Sequence, residues 1–188
     1  MAERYDITIE KGATWSLPLH WFDEPIGGQI SNTVANPTVV TTTVAHGLTT
    51  GDAVFIQGSN SLPSIGFVQG VQSGIHTVTV INTTTFSVPV NVTMAGNSGT
   101  VKPAIDLTGY SARMKVKDSY GGAELLSLTN GTGITLGTVD GLVTVSRSAT
   151  ETAAFSWTRG VYDLELVNGT DVTRLVEGSV TVKPEAST

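Results

Sequence analysis

The sequence predicts an all-β protein made of a β-sandwich or barrel outer domain with one short helix, interrupted by a small inserted β-barrel. Hydrophobic residues make up 39% of the 188 residues and charged residues only 14%, below the rough quarter usual in soluble domains. Thr, Val, Gly and Ser fill the difference, and β-branched side chains suit a pleated sheet while Gly suits tight turns. Short alternating runs separated by turn residues recur along the chain, as in sandwiches and barrels.

The segment 14–21 alternates strongly, which predicts a strand with one buried side. The residues on its apolar face are Trp15, Leu17, Leu19 and Trp21. Pro18 lies on the other face and has no N–H to donate, so we expect an edge strand or a bulge there. The two Trp rings could instead form a stacking platform for a sugar or a nucleic acid, but their leucine neighbours favour core packing.

Charged side chains almost vanish from the middle of the chain. Within 30–102 the only acidic residue is Asp52, and the only Lys or Arg is Lys102. We therefore predict a discontinuous outer β-sandwich domain of 1–29 plus 103–188, with 30–102 inserted as a threonine-rich small β-barrel. A linear three-part chain is the alternative, but the first 29 residues supply only two strands, too few to bury their own Trp side chains.

One short helix is predicted after the strand-like run 141–147. Ser148 and Glu151 have capping-box spacing, in which the two side chains satisfy otherwise unpaired N–H groups, and the helical segment ends by Gly160. We expect this helix to plug one open end of the sheet. Further on, VNGTD at 167–171 predicts a hairpin built on Asn-Gly.

Composition also limits the function. The net charge is −6 with no basic block, which argues against a nucleic-acid partner. The chain has no Cys, so neither a disulfide nor a thiolate metal site can form. The charged, alternating start is unlike a signal peptide, and no apolar run approaches the roughly 18 residues of a membrane helix. We expect a soluble protein, made in a cytoplasm, with no membrane partner.

No catalytic or metal-binding pattern stands out, so we expect no enzyme activity, metal or cofactor. His20, His46 and His76 are separated, and His46, which precedes Gly-Leu, is interpreted as a structural turn residue. The acidic residues fall mostly at turns or on outward faces, where a solvated surface is the better interpretation than a paired-carboxylate site. The glycine-flanked Ser98 lacks the strand–turn–helix context of a hydrolase nucleophile.

The candidate interaction residues lie in the loop 61–71. They are Leu62, Ile65, Phe67 and Val68. Apolar residues in a Gly-, Ser- and Pro-rich stretch do not belong to a regular strand or helix with a buried face. Exposed apolar loops mark contact surfaces. Collapse of the loop onto the barrel is the alternative.

Several blocks of the outer domain resemble a phage family, the N-terminal domain of baseplate upper proteins, which link receptor-binding proteins to a tail. The blocks are ITIEKGATWSLPLHW (7–21), IDLTGYSARMKV (105–116), SATETAAF (148–155), VYDLEL (161–166) and TRLVEGSVTV (173–182). In that family the first block runs almost directly into the second. Here residues 30–102 separate them, which supports the insertion.

The insert is similar to the small β-barrel known in phage proteins and named after the first catalytic-cysteine half-domain of ubiquitin-activating enzymes. The matching residues are His46-Gly47-Leu48, Gly51-Asp52, Val54, Ile56, Gly58, Thr77-Val78 and Thr85-Phe86-Ser87-Val88. No thioester chemistry transfers to a chain without Cys.

The resemblances imply a non-enzymatic structural protein of a bacteriophage virion, assembled in the host bacterial cytoplasm. The expected role is an adaptor in the tail, baseplate or neck that attaches fibres or neighbouring virion proteins, as a homo-oligomer in a symmetric assembly. A head decoration or cement protein on the capsid is the first alternative. A carbohydrate-binding module that uses Trp15, Trp21 or the acidic turns is the second.

Overall fold

The structure is a computed structural model that describes residues 2–66 and 74–185. Strands account for 53% and helix for 3% of the chain, which confirms the all-β prediction. The strands are, in chain order, β1 (Glu3–Arg4), β2 (Ile7–Glu10), β3 (Trp15–His20), β4 (Ile30–Asn32), β5 (Thr38–Thr42), β6 (Ala53–Gln57), β7 (Ile75–Thr77), β8 (Thr79–Asn82), β9 (Thr85–Val88), β10 (Thr100–Pro103), β11 (Ser111–Lys117), β12 (Glu124–Asn130), β13 (Gly133–Leu136), β14 (Leu142–Arg147), β15 (Arg159–Asn168) and β16 (Asp171–Lys183). One helix, α1 (Ala149–Ala153), lies between β14 and β15.

The chain divides into two compact units. The first comprises Met1–Leu19, Leu107–Thr138 and Leu142–Thr188, and the second comprises His20–Asp106 and Val139–Gly141. The second unit thus includes the proposed insert together with its flanking residues on both sides.

The first unit is a nine-stranded sheet that curls into a half-barrel. Its strand order is β1-β16-β15-β11-β12-β13-β14-β3, and β2 also pairs with β16. Alternation along β11 and β15 fixes which side is buried: Met114 and Leu164, directly opposite each other, are both in the core. The residues between the buried ones point outward and carry most of the charge, so one face is buried and one is solvated.

The first strands of the chain pair with the last one. In this parallel ladder Ile7 lies opposite Val180 and Ile9 opposite Val182, and all four side chains are buried. The connection between β1 and β2 passes very close to Gly178, where any Cβ would collide with the carbonyl oxygen of Tyr5. A glycine is therefore required for the N-terminal strands to reach this edge of the sheet.

Helix α1 begins with the predicted capping box. Ser148 Oγ accepts from the N–H of Glu151, and the Glu151 carboxylate accepts from the N–H of Ser148. Hydrogen bonds from Ser148 and then the Arg147 ion pair hold the pKa of Glu151 below its usual value. The buried Thr152 hydroxyl donates to the carbonyl oxygen of Ala13. The helix therefore packs on the turn that links β2 to β3.

The second unit consists of two small sheets that share one core. The strand orders are β10-β6-β7 and β4-β5-β9-β8. The buried residues of this core are Ile30, Val40, Leu48, Val54, Ile56, Ile65, Val78, Phe86, Val88, Val92 and Val101. They come from five of these strands and from the loops between them, so the second unit has a complete hydrophobic core of its own.

The chain enters and leaves the second unit side by side. Phe22 forms an antiparallel bridge with Ala104, and Ile26 forms one with Val101. An inserted segment needs its two ends close together at the surface, and this pairing supplies that arrangement. The compact unit begins at His20 and ends its main segment at Asp106, wider than the 30–102 boundaries expected from composition, because the flanking segments pair with each other.

Candidate interaction surfaces

The four predicted interaction residues have different positions. Leu62 is 55% exposed, whereas Ile65 is fully buried in the core of the second unit. Phe67 and Val68 lie outside the described residues. For Ile65 the structure matches the alternative that we left open, collapse of the loop onto the barrel, so Leu62 is the described member of the set that is available for contact.

Leu62 has an apolar neighbour that sequence reasoning missed. Leu62 and Met94 form an antiparallel bridge in which each N–H donates to the other's carbonyl oxygen, both at 3.0 Å. Residues paired in this way point their side chains to the same side of the ladder. Met94 is itself 49% exposed, so the two side chains form a small apolar patch.

The loop that carries Leu62 is held by several polar contacts. The buried Ser61 hydroxyl donates to Pro63 O at 3.1 Å and accepts from the N–H of Ile65. Thr93 Oγ1 donates to Leu62 O at 3.0 Å. These bonds fix the backbone on both sides of Leu62, so its exposed position does not result from a loose loop.

The His-Gly-Leu motif is structural. His46 is buried, its Nδ1 accepts from the N–H of Leu48 at 2.9 Å, and its Nε2 lies 2.9 Å from Asn82 O. Because a carbonyl can only accept, Nε2 carries the proton and the ring is the neutral tautomer. The imidazole also packs edge-on against Phe86. The interpretation of His46 as a structural turn residue agrees with these contacts.

The loop 46–52, which begins with His46, covers the outer edge of β8 and of Val78 just before it. The N–H of Val78 donates to Asp52 O, and the N–H of Gly51 donates to Val78 O. Thr50 Oγ1 accepts from the N–H of Val80 at 2.9 Å. Unpaired strand edges are templates for pairing with other chains, and here residues 46–52 occupy that position.

Two other outer strands of the second unit are covered in a similar way. The N–H of Ile26 donates to Val101 O at 2.8 Å, which covers β10. The N–H groups of Ile30 and Asn32 donate to Gly99 O and Gly96 O, so β4 also has a neighbour. A partner strand could pair with β4 or β10 only after these covering segments were displaced.

The outer face of the nine-stranded sheet is an ion-pair network centred on Glu165. Its carboxylate lies 2.7 Å from Arg113 and 3.3 Å from Arg174, which also contacts Asp163 and Glu177. The hydrogen bond from Arg113, then that from Arg174, holds the pKa of Glu165 below its usual value. Bonds to Glu177 and Glu165 raise the pKa of Arg174. The charges of this face are largely matched within it.

A shallow groove of about 390 Å³ lies on this charged face. Lys115, Lys117, Tyr120 and Asp163 are among its lining residues. Lys115 pairs with Glu124 at 2.8 Å, while the ring of Tyr120 is exposed. Half of its lining residues are charged, in contrast to the largely hydrophobic and aromatic lining of most small-ligand pockets.

The remaining sequence candidates do not come together. Trp15 and Trp21 are both half-buried. Of the other histidines, His20 Nδ1 lies 3.1 Å from Asp140 O, and His76 Nε2 lies 2.6 Å from Ile65 O. Within residues 2–66 and 74–185, no group of three His, Asp or Glu side chains could hold a metal ion.

Comparison of the chain with models of known protein families finds no match, and comparison with curated protein sequences finds none either. The phage resemblances therefore rest on the residues quoted for them. In the part of the chain that the structure describes, no helix has the length and apolar character needed to cross a membrane.

Proposed function

We propose that this chain is a non-enzymatic structural protein of a bacteriophage virion, an adaptor in the tail, baseplate or neck that attaches fibres or neighbouring virion proteins. The observation that carries the proposal is the surface of the segment 30–102, the main part of the second unit. It packs a complete core, yet residues 30–102 contain only Asp52 and Lys102 as acidic or basic residues. A surface that stays free in water usually carries many more charges, so this one is suited to contact with other proteins.

The structure also bears on how such contacts would form. The outer edges of β4, β8 and β10 are covered by segments of the same chain. Assembly by addition of a strand to one of these edges would have to displace their hydrogen bonds. Contact through side chains on exposed faces and loops leaves them intact, so we propose face-to-face rather than edge-to-edge docking, with other virion proteins as partners and neither nucleic acid nor membrane.

The two units are suited to different contacts. The sheet of the first unit presents matched charges around Glu165, which favour a polar partner and set orientation more than affinity. Residues 30–102 of the second unit present mainly neutral and apolar groups. An adaptor needs two such dissimilar surfaces, one for the particle and one for the attached component.

Mass spectrometry of purified phage particles, with stoichiometry, tests the proposal. A tail, baseplate or neck adaptor is expected at a few to dozens of copies per particle, whereas a head decoration protein, the alternative position, is expected at hundreds. Detection of the chain only in lysates of infected cells, and not in particles, would contradict both positions. Turnover of a substrate that is lost on changing one polar residue of a still-folded protein would contradict the non-enzymatic role.

A further inference from the structure

The first unit carries the tripeptide Asn-Gly-Thr twice, at 130–132 and at 168–170. In both copies the Asn is the last residue of a strand, all three residues are exposed, and the preceding residue, Thr129 or Val167, is β-branched. An Asn followed by Gly readily loses its side-chain amide, because a glycine nitrogen with no Cβ beside it approaches the side-chain carbonyl carbon without hindrance. Sequence and exposure therefore do not distinguish the two copies.

Hydrogen bonds hold both reacting groups of the first copy. Asn130 Oδ1 accepts from the N–H of Ala112 at 2.8 Å, which fixes the side chain against β11. The N–H of Gly131 donates to Ile134 O at 3.0 Å, so the nitrogen that would attack is engaged as a donor. Both bonds have to break before this nitrogen can bond to the Asn130 side chain.

The second copy lies at the tip of the β15–β16 hairpin and has neither of these bonds. Asn168 pairs with Asp171 in the backbone ladder, and Gly169 and Thr170 form the turn between them. Among residues 2–66 and 74–185, neither the Asn168 side chain nor the N–H of Gly169 has a hydrogen-bond partner. The ladder holds the backbone here, while the Asn168 side chain is free to turn toward the next nitrogen of its own chain.

We infer that Asn168 is a site of spontaneous deamidation in the folded protein and that the fold protects Asn130 from the same reaction. The Gly169 nitrogen gives up its proton to water or hydroxide and bonds to Cγ of Asn168. The Cγ–Nδ2 bond breaks, and the amide nitrogen takes up a proton and leaves as ammonia. Water then opens the cyclic succinimide at either of its carbonyl carbons, which gives aspartate or isoaspartate. The reaction needs no co-reactant other than water, and the inference does not depend on the proposed function.

The modification changes the charge and the backbone of the hairpin tip. Asn168 lies directly opposite Asp171, and like charges directly opposite each other in an antiparallel pair are destabilising. Isoaspartate also inserts a methylene group into the main chain at the last residue of β15. Deamidation therefore adds negative charge to a chain whose net charge is already −6, and it weakens the pairing at the end of this hairpin.

Peptide mapping of the full chain after incubation in warm, mildly alkaline buffer tests the inference. Trypsin cleaves after Lys and Arg and so places the two sites in separate peptides, 118–147 and 160–174. Chromatography with mass spectrometry distinguishes the Asn, Asp and isoaspartate forms of each peptide. Asn168 is expected to react at least about tenfold faster than Asn130, because only Asn130 must first lose two hydrogen bonds. In guanidinium chloride, which unfolds the chain, the identical tripeptides are expected to react at similar rates.

Ion-exchange chromatography of two variants gives a second readout. Asn168→Gln is expected to remove most of the acidic peak that grows as the wild-type chain ages, because a Gln side chain would have to close a larger ring, which forms slowly. Asn130→Gln is the matched control and is expected to leave that peak unchanged, and circular dichroism verifies that both variants are folded. Equal rates at the two sites of the folded chain, or a difference that persists in guanidinium chloride, overturn the inference. So does a folded chain in which neither site reacts while the unfolded chain does.

Discussion

His76 shows how burial affects a single ionisable side chain of this fold. It lies on β7 opposite Val54, and its Nε2–H donates to the carbonyl oxygen of Ile65 at 2.6 Å. Burial lowers the pKa of His76 below its ordinary value of 6.5, although the bond to Ile65 partly opposes the shift. The folded protein thus prefers the neutral ring.

This preference predicts a loss of stability on mild acidification. His76 titrates near pH 6.5 in the unfolded chain and at a lower pH in the folded chain. Between these two pH values the unfolded state therefore binds more protons than the folded state. Stability is therefore full above pH 6.5 and falls below it, by at most about 1.4 kcal/mol per pH unit for one proton. Urea unfolding between about pH 8 and pH 5 measures the slope.

His76→Gln is expected to flatten this pH dependence, because the Gln amide can still donate to Ile65 O but does not titrate in this range. His20→Gln, the same substitution at an exposed ring, is measured beside it for comparison. Equal slopes in wild type and His76→Gln would show that another group is responsible.

The residue scale is also where sequence reasoning missed most. His46 is followed by Gly-Leu, and this local pattern is enough to indicate a turn. The partner of Leu62 is not predictable in this way, because Met94 lies more than thirty positions along the chain and only the folded backbone brings it opposite. The sequence could not show that Ile65 is buried and Leu62 exposed, because both are apolar residues of one irregular loop that has no hydrophobic periodicity.

Among the elements, β3 best illustrates how a free strand edge is protected. It ends the nine-stranded sheet beyond β14, which confirms the edge position predicted from Pro18. The N–H of Trp21, just after β3, donates to Gly141 O at 2.9 Å, and exposure alternates regularly from Trp15 to Trp21. Because N–H groups alternate between the two edges of a regular strand, those of the odd-numbered residues point toward β14, as the N–H of Trp21 does, and the nitrogen of Pro18 points to the free edge, where it offers no donor.

Pro18→Thr is predicted to make this edge competent for pairing with another chain. The change restores an N–H at the centre of the free edge and adds a β-branched side chain. We expect concentration-dependent association and a rise in thioflavin fluorescence. Ser16→Thr, on the same side of β3 but with an unchanged number of donors, is expected to stay monomeric. Monomeric Pro18→Thr would mean that something else protects the edge.

Elements with a local signal were predicted well, for physical reasons. The capping box at Ser148 and the Asn-Gly turn at 168–169 each depend on a few adjacent residues, and both are present: α1 starts after Ser148, and Asn168 pairs with Asp171 in the β15–β16 hairpin. Sheet order has no such signal. The parallel pairing of β2 with β16 joins segments from opposite ends of the chain, so alternation could indicate both strands but not their contact.

At the scale of the whole molecule, the second unit has two features of an independent domain. It has its own hydrophobic core, and the segments by which the chain enters and leaves it pair with each other. The buried hydrophobic residues of its core all lie between Ile30 and Val101. The segments before and after them pair through Ile26 N–H to Val101 O and Asp23 N–H to Pro103 O, at 2.8 and 2.9 Å. Composition located the change in surface charge but could not reveal that residues 20–29, which include Asp23 and Glu24, belong with the insert.

A fragment of residues 20–106 is therefore predicted to fold alone with a cooperative transition. A fragment of 30–102 lacks both of these hydrogen bonds and the half-buried Ile26, so we expect it to be less stable by about 2 kcal/mol. Urea midpoints of the two fragments, compared with the full chain, measure the difference. Equal midpoints would show that the flanking segments contribute nothing to this domain.

The pairing of β2 with β16 also has a consequence for synthesis on the ribosome. Ile7 and Ile9 emerge long before Val180 and Val182, and they contact these residues only after β16 has left the exit tunnel. Long-range pairing of this kind is slow to form, and nascent chains expose such apolar residues while they wait. A truncated product without β16 leaves β1 and β2 unpaired. Premature termination late in the message therefore yields an aggregation-prone fragment, even though the second unit can already be folded.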